Sequence, residues 1–285
     1  MNILRFITLS FFISAYSCYA QTDSSENIFI IHTNDTHSCI ERINPNLQDT
    51  AMANKGGYLR RCALVDEYRK ADPDLLLFDS GDFSQGSVYY NLFKGEVEVS
   101  LMNRMRYDAA TIGNHEFDFG LDNMARIFKM ANFPILCCNY DFSNTPVAPY
   151  VKKYTIIERK GVKIGVTAVC TILDGLVSKL NSGATVFMNP VDCVNEVADY
   201  LKNVEKCDLV VCLSHLGWNV ETINDEQLIK GSRNIDIVLG GHSHTYFEEP
   251  KYVTNSEGRK VLCNQMGKSG RFVGTLSLDM KRTEK

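Results

Sequence analysis

The chain has no C-x-x-C pair, no internal repeat, no low-complexity tract and no large excess of either charge. Each absence removes a class of function. Without paired cysteine spacing there is no basis for a zinc knuckle or a thioredoxin-type redox site. With 30 basic and 34 acidic residues, the net charge of −4 argues against nucleic-acid binding by electrostatic grip. It leaves small phosphorylated substrates open, because a bound cation can supply local positive charge. The 285 residues can bury one large core or two small ones. No linker divides them, so a single domain over residues 28–280 is expected.

Long apolar runs are scarce too. One precedes the expected fold: residues 7–15 follow a lone charge, Arg5. About ten apolar residues fall short of the roughly twenty that span a bilayer. The run suits a signal peptide over residues 1–20, with Cys18-Tyr19-Ala20 as a small-x-small cleavage site before Gln21. Export, to a periplasm or beyond, is the expectation, with lipid anchoring through Cys18 as the alternative. No later run approaches spanning length, so no transmembrane segment is expected. Nine of the ten cysteines lie past this leader. Their odd number leaves at least one unpaired even where disulfides form. Cys137, Cys138, Cys170 and Cys212 sit inside apolar runs, where a free thiol behaves as a small hydrophobe.

What is present is an alternation of short apolar runs with longer amphipathic ones. Residues 28–33, 75–78, 109–112, 135–138, 209–213 and 235–239 read as buried strands. Residues 57–70, 97–106, 121–130 and 191–204 read as helices. Leu59, Ala63 and Tyr68 are expected to form the buried face of the first, and Val194, Val197, Ala198 and Leu201 that of the last. Pro190 and Asp192 mark the start of that last helix. Lys160-Gly161 joins runs 154–159 and 162–170 into a hairpin, and 261–265 and 271–280 read as closing strands. The expected fold is α/β, a four-layer αββα sandwich of two mixed β-sheets flanked by helices.

Five loops then carry the chemistry. Four of the expected strands run straight into polar residues able to hold metal, and a fifth such loop follows. The loops are Asn34-Asp35-Thr36-His37, Ser80-Gly81-Asp82, Gly113-Asn114-His115-Glu116, Ser214-His215 and Gly241-His242-Ser243-His244. Ligand sites in α/β sheets gather outside the carboxyl ends of strands, so these loops are expected to converge. Of six histidines, five lie in the loops and only His32 lies within a strand, where a structural role is expected. Histidine and carboxylate clusters are the usual metal donors. Asp35/His37 and His242/His244 are spaced two apart, so extended backbone would project each pair to one side. Glycines before Asp82, Asn114 and His242 relieve steric limits beneath such a site. Asn34 is expected to orient the Asp35 loop, and Glu116 to face solvent or act behind the donors rather than as an acid.

The ordered set Asn34-Asp35-x-His37, Gly81-Asp82, Gly113-Asn114-His115-Glu116, His215 and Gly241-His242-x-His244 resembles the calcineurin-like metallophosphoesterase superfamily. The longer run from Gly113 through Phe117 to Asp118, with Lys55-Gly56-Gly57, resembles its 5′-nucleotidase/UDP-sugar hydrolase branch. The resemblance covers roughly residues 28–280, from the first to the last motif-bearing segment. It implies two divalent metal ions. Asp35, His37, Asp82 and His244 would hold one; Asp82, Asn114, His215 and His242 the other, with Asp82 bridging. Metals about 3.5–4 Å apart can clamp a phosphoryl oxygen and activate water. The donors suit Zn, Mn, Fe or Co alike.

By the same resemblance His115 is no ligand. Together with Asn114 it would contact the substrate, and it would assist departure of the leaving oxygen as an imidazolium. Asp118 would orient it and raise its pKa; a helix N-cap is the plain alternative for Asp118. The implied substrate is a small phosphate ester, nucleotide 5′-monophosphates foremost, with diester or pyrophosphate cleavage as an alternative. The branch usually carries a second domain that grips the nucleoside, and this chain stops just past Gly270-Arg271-Phe272-Val273-Gly274. Recognition by a separate polypeptide, without which the chain is inactive, is therefore the other alternative. Trp218, Tyr246 and Phe247 lie near the histidines as candidate stacking residues, though packing is the commoner role of such aromatics.

Overall fold

The computed structural model describes residues 25–281; the expected leader, its cleavage site and Cys18 lie outside the described residues. In chain order the first half supplies β1 (Ser25–Thr33), α1 (Tyr58–Ala71), β2 (Leu76–Asp79), α2 (Val88–Phe93), α3 (Glu96–Met105) and β3 (Ala109–Thr111). A 3₁₀ turn at Asn114–Phe117 leads into α4 (Gly120–Phe128), β4 (Ile135–Leu136), β5 (Tyr140–Asp141) and β6 (Val151–Lys152). The second half supplies β7 (Tyr154–Arg159), β8 (Val162–Cys170), α5 (Lys179–Ser182), β9 (Val186–Phe187), α6 (Pro190–Asn203) and β10 (Leu209–His215). It closes with α7 (Asp225–Gly231), β11 (Ile237–Leu239), β12 (Lys251–Thr254), β13 (Lys260–Asn264) and β14 (Gly274–Lys281).

The strands form two six-stranded mixed sheets, ordered β14-β1-β2-β3-β4-β6 and β12-β13-β11-β10-β8-β7, plus a small β5–β9 pair. In the first, β1, β2, β3, β4 and β6 are parallel, and β14 pairs antiparallel with β1 at the edge. In the second, β8, β10, β11 and β13 are parallel, flanked by antiparallel β7 and β12. The expected hairpin is β7–β8. Both of its loop residues, Lys160 and Gly161, have positive φ (49° and 74°), as a tight two-residue turn requires.

Alternation along the strands sorts the apolar side chains into three cores. Ile28, Ile30, Leu76 and Phe78 of the first sheet meet Ile164, Val166, Val211 and Leu239 of the second. Their neighbours point the other way. Ile31, Leu77 and Ala110 pack with Val65, Val99, Met102 and Met124 of α1, α3 and α4. Val210, Cys212 and Val238 pack with Val194, Val197, Leu201 and Leu228 of α6 and α7. Fully burying one such side chain is worth about 1.5–3 kcal/mol, so strand alternation alone drives the layering. The result is the expected αββα sandwich.

Two local expectations need correction. The buried residues of α1 are Tyr58, Arg61, Val65 and Arg69, whereas Leu59 is 79% exposed. Two arginines take an inward face, and Arg69 does so by donating to the carbonyls of Met105 and Arg106, which satisfies its charge. The last long helix starts as expected, with Pro190 opening it and Asp192 in its first turn, and Asn189 caps it, its Oδ1 accepting from the Val191 and Asp192 amides. Before α4 stands Phe119, with no side-chain cap, so the N-cap alternative for Asp118 falls away. All nine described cysteines are free thiols, and Cys137, Cys138, Cys170 and Cys212 are buried as expected.

Candidate metal centre

The predicted loops leave the carboxyl ends of adjacent parallel strands. From the first sheet, neighbours β1, β2 and β3 run into Asp35 and His37, Asp82, and Asn114 and His115. From the second, His215 is the last residue of β10, and His242 and His244 follow its neighbour β11.

Distances define overlapping donor clusters. Asp35, His37 and His244 form one. The Nε2 atoms of His37 and His244 are 2.9 Å apart, and they lie 3.8 and 3.5 Å from Asp35 Oδ1. Asp82, His215 and His242 form the second, with His215 Nε2 at 3.2 Å from Asp82 Oδ2. That same carboxylate oxygen is 4.0 Å from His37 Nε2, so Asp82 stands between the two groups. His115 forms a third cluster with His37 and Asp82. Buried Asn114 Oδ1 has no hydrogen-bond partner. An unpaired buried acceptor, in the turn whose His115 amide donates to Asp82, is what a coordinated cation would satisfy. The mixed nitrogen and oxygen donors fit a divalent transition metal.

The backbone reaches this arrangement through strain. Asp35, His37, Asp82, His242 and His244 all have positive φ, between 44° and 71°. Side-chain-bearing residues adopt that region rarely and at a cost, and they cluster at functional sites. The i, i+2 pairs therefore do converge, but through left-handed residues and not through the extended backbone the spacing suggests. The glycines also differ from expectation. Gly81 turns at φ 87°, whereas Gly113 is extended, and a Cβ there would collide with the Asp82 carboxylate. Gly113 is needed for room, not for turning.

A set of hydrogen bonds opposes the strain. His215 Nδ1 donates to the Ser80 carbonyl at 2.7 Å, which leaves Nε2 toward Asp82. Both Asp35 oxygens accept from the His242 amide. Asn34 Nδ2 donates to Asp35 Oδ2 and to the Gly267 carbonyl, while its Oδ1 accepts from the Met266 amide. Asn34 thus orients the loop as expected. Glu116 does more than its position suggested. Its Oε2 accepts from the amides of Asp82 and Gly113, and its Oε1 from that of Ser84. One buried carboxylate ties the Asp82 loop to the Asn114 turn. The spacing from Gly113 to Glu116 is that of a capping box, the one sequence signal for this role.

Electrostatics follow from burial and from the shared carboxylates. Burial pushes Asp35 up to about 8 despite the nearby His215. Burial also opposes ionisation of Asp82, but His215, His115 and His37 outweigh it and hold the carboxylate low. Burial lowers His37, and takes His242 and His244 down to about 4, so all three are held as neutral imidazoles. His215 goes the other way: burial works against its charge, and Asp82 and Asp35 overcome that. Burial raises Glu116 to about 7, helped by Asp82.

His115 Nδ1 lies 3.1 and 3.2 Å from the Asp118 oxygens. That hydrogen bond raises the His115 pKa, against partial burial. Tyr90 adds a contact, its hydroxyl donating to the His115 carbonyl. The candidate stacking residues separate. Phe247 is buried edge-on against Trp218, a packing pair, while Tyr246 is 45% exposed and stacks on Phe272 at 4.0 Å. His32 is buried in β1 beneath Gly274, where any larger residue would collide with its ring, and it belongs to none of the donor clusters.

Comparison with known proteins places the chain in a family. Human 5′-nucleotidase is 30% identical over 273 residues, which cover 88% of this chain and 46% of that protein. An apyrase of Tabanus yao is 30% identical over 269 residues, covering 87% and 47%. The solved structure of a 5′-nucleotidase precursor from Thermus thermophilus superposes with a TM-score of 0.80 at 29% identity, over 90% of this chain and 52% of that one. The chain thus spans about half the length of the curated relatives it matches. The calcineurin-like phosphoesterase family model matches residues 29–246. That match encloses every predicted donor from Asp35 to His244, and the chain belongs to the calcineurin-like phosphoesterase family.

Proposed function

We propose that this chain hydrolyses small phosphate esters, nucleotide 5′-monophosphates foremost, as an exported enzyme with two divalent metal ions. The observation that carries the reading is the pair of donor clusters that meet at Asp82. Asp35, His37, Asp82 and His244 would hold one ion, and Asp82, Asn114, His215 and His242 the other. When bound, such ions polarise a phosphoryl group and lower the pKa of water. Zn, Mn, Fe and Co all suit the donors.

The chain's own residues do the rest. Burial keeps His37, His242 and His244 neutral and ready to ligate. Asn34, Ser80 and Glu116 fix the directions of Asp35, His215 and the Asp82 loop. His115 stands beside them with Nδ1 engaged by Asp118. Its Nε2 is left to contact the phosphate and to give a proton to the departing oxygen, the role of a general acid. The nucleotide preference rests on the likeness to 5′-nucleotidases and an apyrase.

Purified chain loaded with Mn²⁺ or Zn²⁺ and offered an aryl phosphate tests the chemistry. Turnover is expected. Bound metal without turnover would sink this reading in favour of a subunit that depends on a separate recognition polypeptide. A panel of nucleoside monophosphates, cyclic nucleotides and nucleotide sugars then ranks the substrates, with monophosphates expected first.

A further inference from the structure

We infer that the first turn of α1 forms a second anion site, for a phosphate-class oxyanion, built from Lys55, Arg60, Arg61 and Arg271. An open pocket of about 380 Å³ lies between that turn and residues 270–273. Among the described residues that line it are these four cations and no carboxylate. In a chain of net charge −4 this is a local reversal.

Arg61 carries the argument. It is only 8% exposed, it lines the pocket, and its Nε has no hydrogen-bond partner. A buried charged donor without an acceptor is strongly disfavoured unless something supplies one. The helix adds an independent demand. The 14-residue α1 follows Gly57, which offers no side-chain cap, and has no acid in its first turn. The Tyr58 amide donates to the Ile40 carbonyl, and the macrodipole together with the remaining first-turn amides makes that end positive. Arg60 and Arg61 then add cations where the dipole favours anions. An oxyanion in the pocket would answer both problems at once.

The other cations have neutral partners only. Arg60 donates to the backbone and side-chain oxygens of Asn54. Arg271 Nε donates to the Lys268 carbonyl, and Lys55 Nζ sits 5.3 Å from the Phe272 ring centre. None of these contacts is with a carboxylate. The pocket also adjoins the donor clusters through one loop. Gly270 and Arg271 line it, and the amide of Ser269 donates to the Asp35 carbonyl at 2.7 Å. The rival account is internal. Arg61 also borders a small cavity of about 20 Å³ lined by Asp79 and Glu98, room for one water that could bridge it to Asp79.

Orthophosphate titrated into the full chain, with a chelator present so that no metal binds the anion, separates the two. One-to-one binding is expected, weaker by about tenfold in Lys55→Ala and in Arg271→Ala, since each removes one charged donor. It should weaken further with added salt. Both side chains are partly exposed, and unchanged thermal melts would show that the variants fold. No binding, the result expected if water joins Arg61 to Asp79, overturns the site. So does binding that both variants leave unaltered. A nucleoside monophosphate in a second titration identifies the source: equal affinity with orthophosphate points to the free ion, and tighter binding with the same variant losses points to a nucleotide phosphate. Because the experiment is metal-free, its failure is distinct from failure of the hydrolase reading.

Discussion

Asp82 and His115 are joined by one hydrogen bond, the His115 amide donating to Asp82 Oδ1 at 2.9 Å, but their surroundings differ sharply. Asp82 is 2% exposed and strained at φ 54°, and its amide is held by Glu116. The His115 side chain is 32% exposed, and its ring is anchored by the Asp118 carboxylate. The first region is built to hold a fixed geometry against its own strain. The second is left open to solvent, as the proposed role in meeting a substrate and moving a proton requires. A site with this division separates holding from turnover, and substitutions should separate them too.

The largest effect belongs to Asp82→Ala. Because Asp82 touches both clusters, the variant should lose both metals and fall to background turnover. Elemental analysis of the purified protein alongside an aryl phosphate assay checks this; full metal content in the variant would break the shared-carboxylate assignment. His115→Ala comes next. It should keep its metal and lose about 10²–10⁴ in turnover, the usual worth of a general acid. Metal loss in this variant would place His115 in the third cluster as a ligand. Glu116→Ala should weaken metal binding by about 10–100-fold, the common cost of removing an outer hydrogen-bond partner. Glu116→Gln keeps an oxygen for some of the three amides, so a smaller loss is expected. Metal titration followed by calorimetry reads both.

The clustering of these residues was legible because each stands at or just past the end of a strand whose apolar run is unmistakable, as at residues 75–78 before Asp82. Topology then does the assembling, since adjacent parallel strands deliver their ends to one place. Strain was not legible. Nothing in Asp35-Thr36-His37 announces two left-handed residues, because the cost is met by distant partners such as Gly81 and Asp82, whose carbonyls take the Asp35 and His37 amides. Glu116 was half legible, its spacing from Gly113 visible and its reach to Ser84 not. The error at α1 has a different cause. A hydrophobic pattern cannot foresee that Arg61 and Arg69 turn inward while Leu59 faces solvent. Elements such as β5, β9 and α5 are too short for any periodicity to register.

Asp118→Asn should give the smallest effect and the most informative one. Asp118 raises the His115 pKa by accepting the Nδ1 hydrogen bond, so it keeps the imidazolium populated to higher pH than an ordinary histidine. Activity that needs the protonated form is then present below the folded pKa and lost as pH rises through it. Removing the carboxylate lowers that pKa, so the alkaline limb of the turnover profile should move to lower pH. The accompanying loss near neutrality should be about tenfold and shrink as the pH falls. Stability follows the same sign: the raised pKa favours the fold below the unfolded value near 6.5, and this contribution disappears as pH rises through the folded value. A pH–rate series for both proteins, with metal content measured at each point, decides the matter. An alkaline limb that stays in place would show that Asp118 merely positions the ring, leaving His115 to act without its charge.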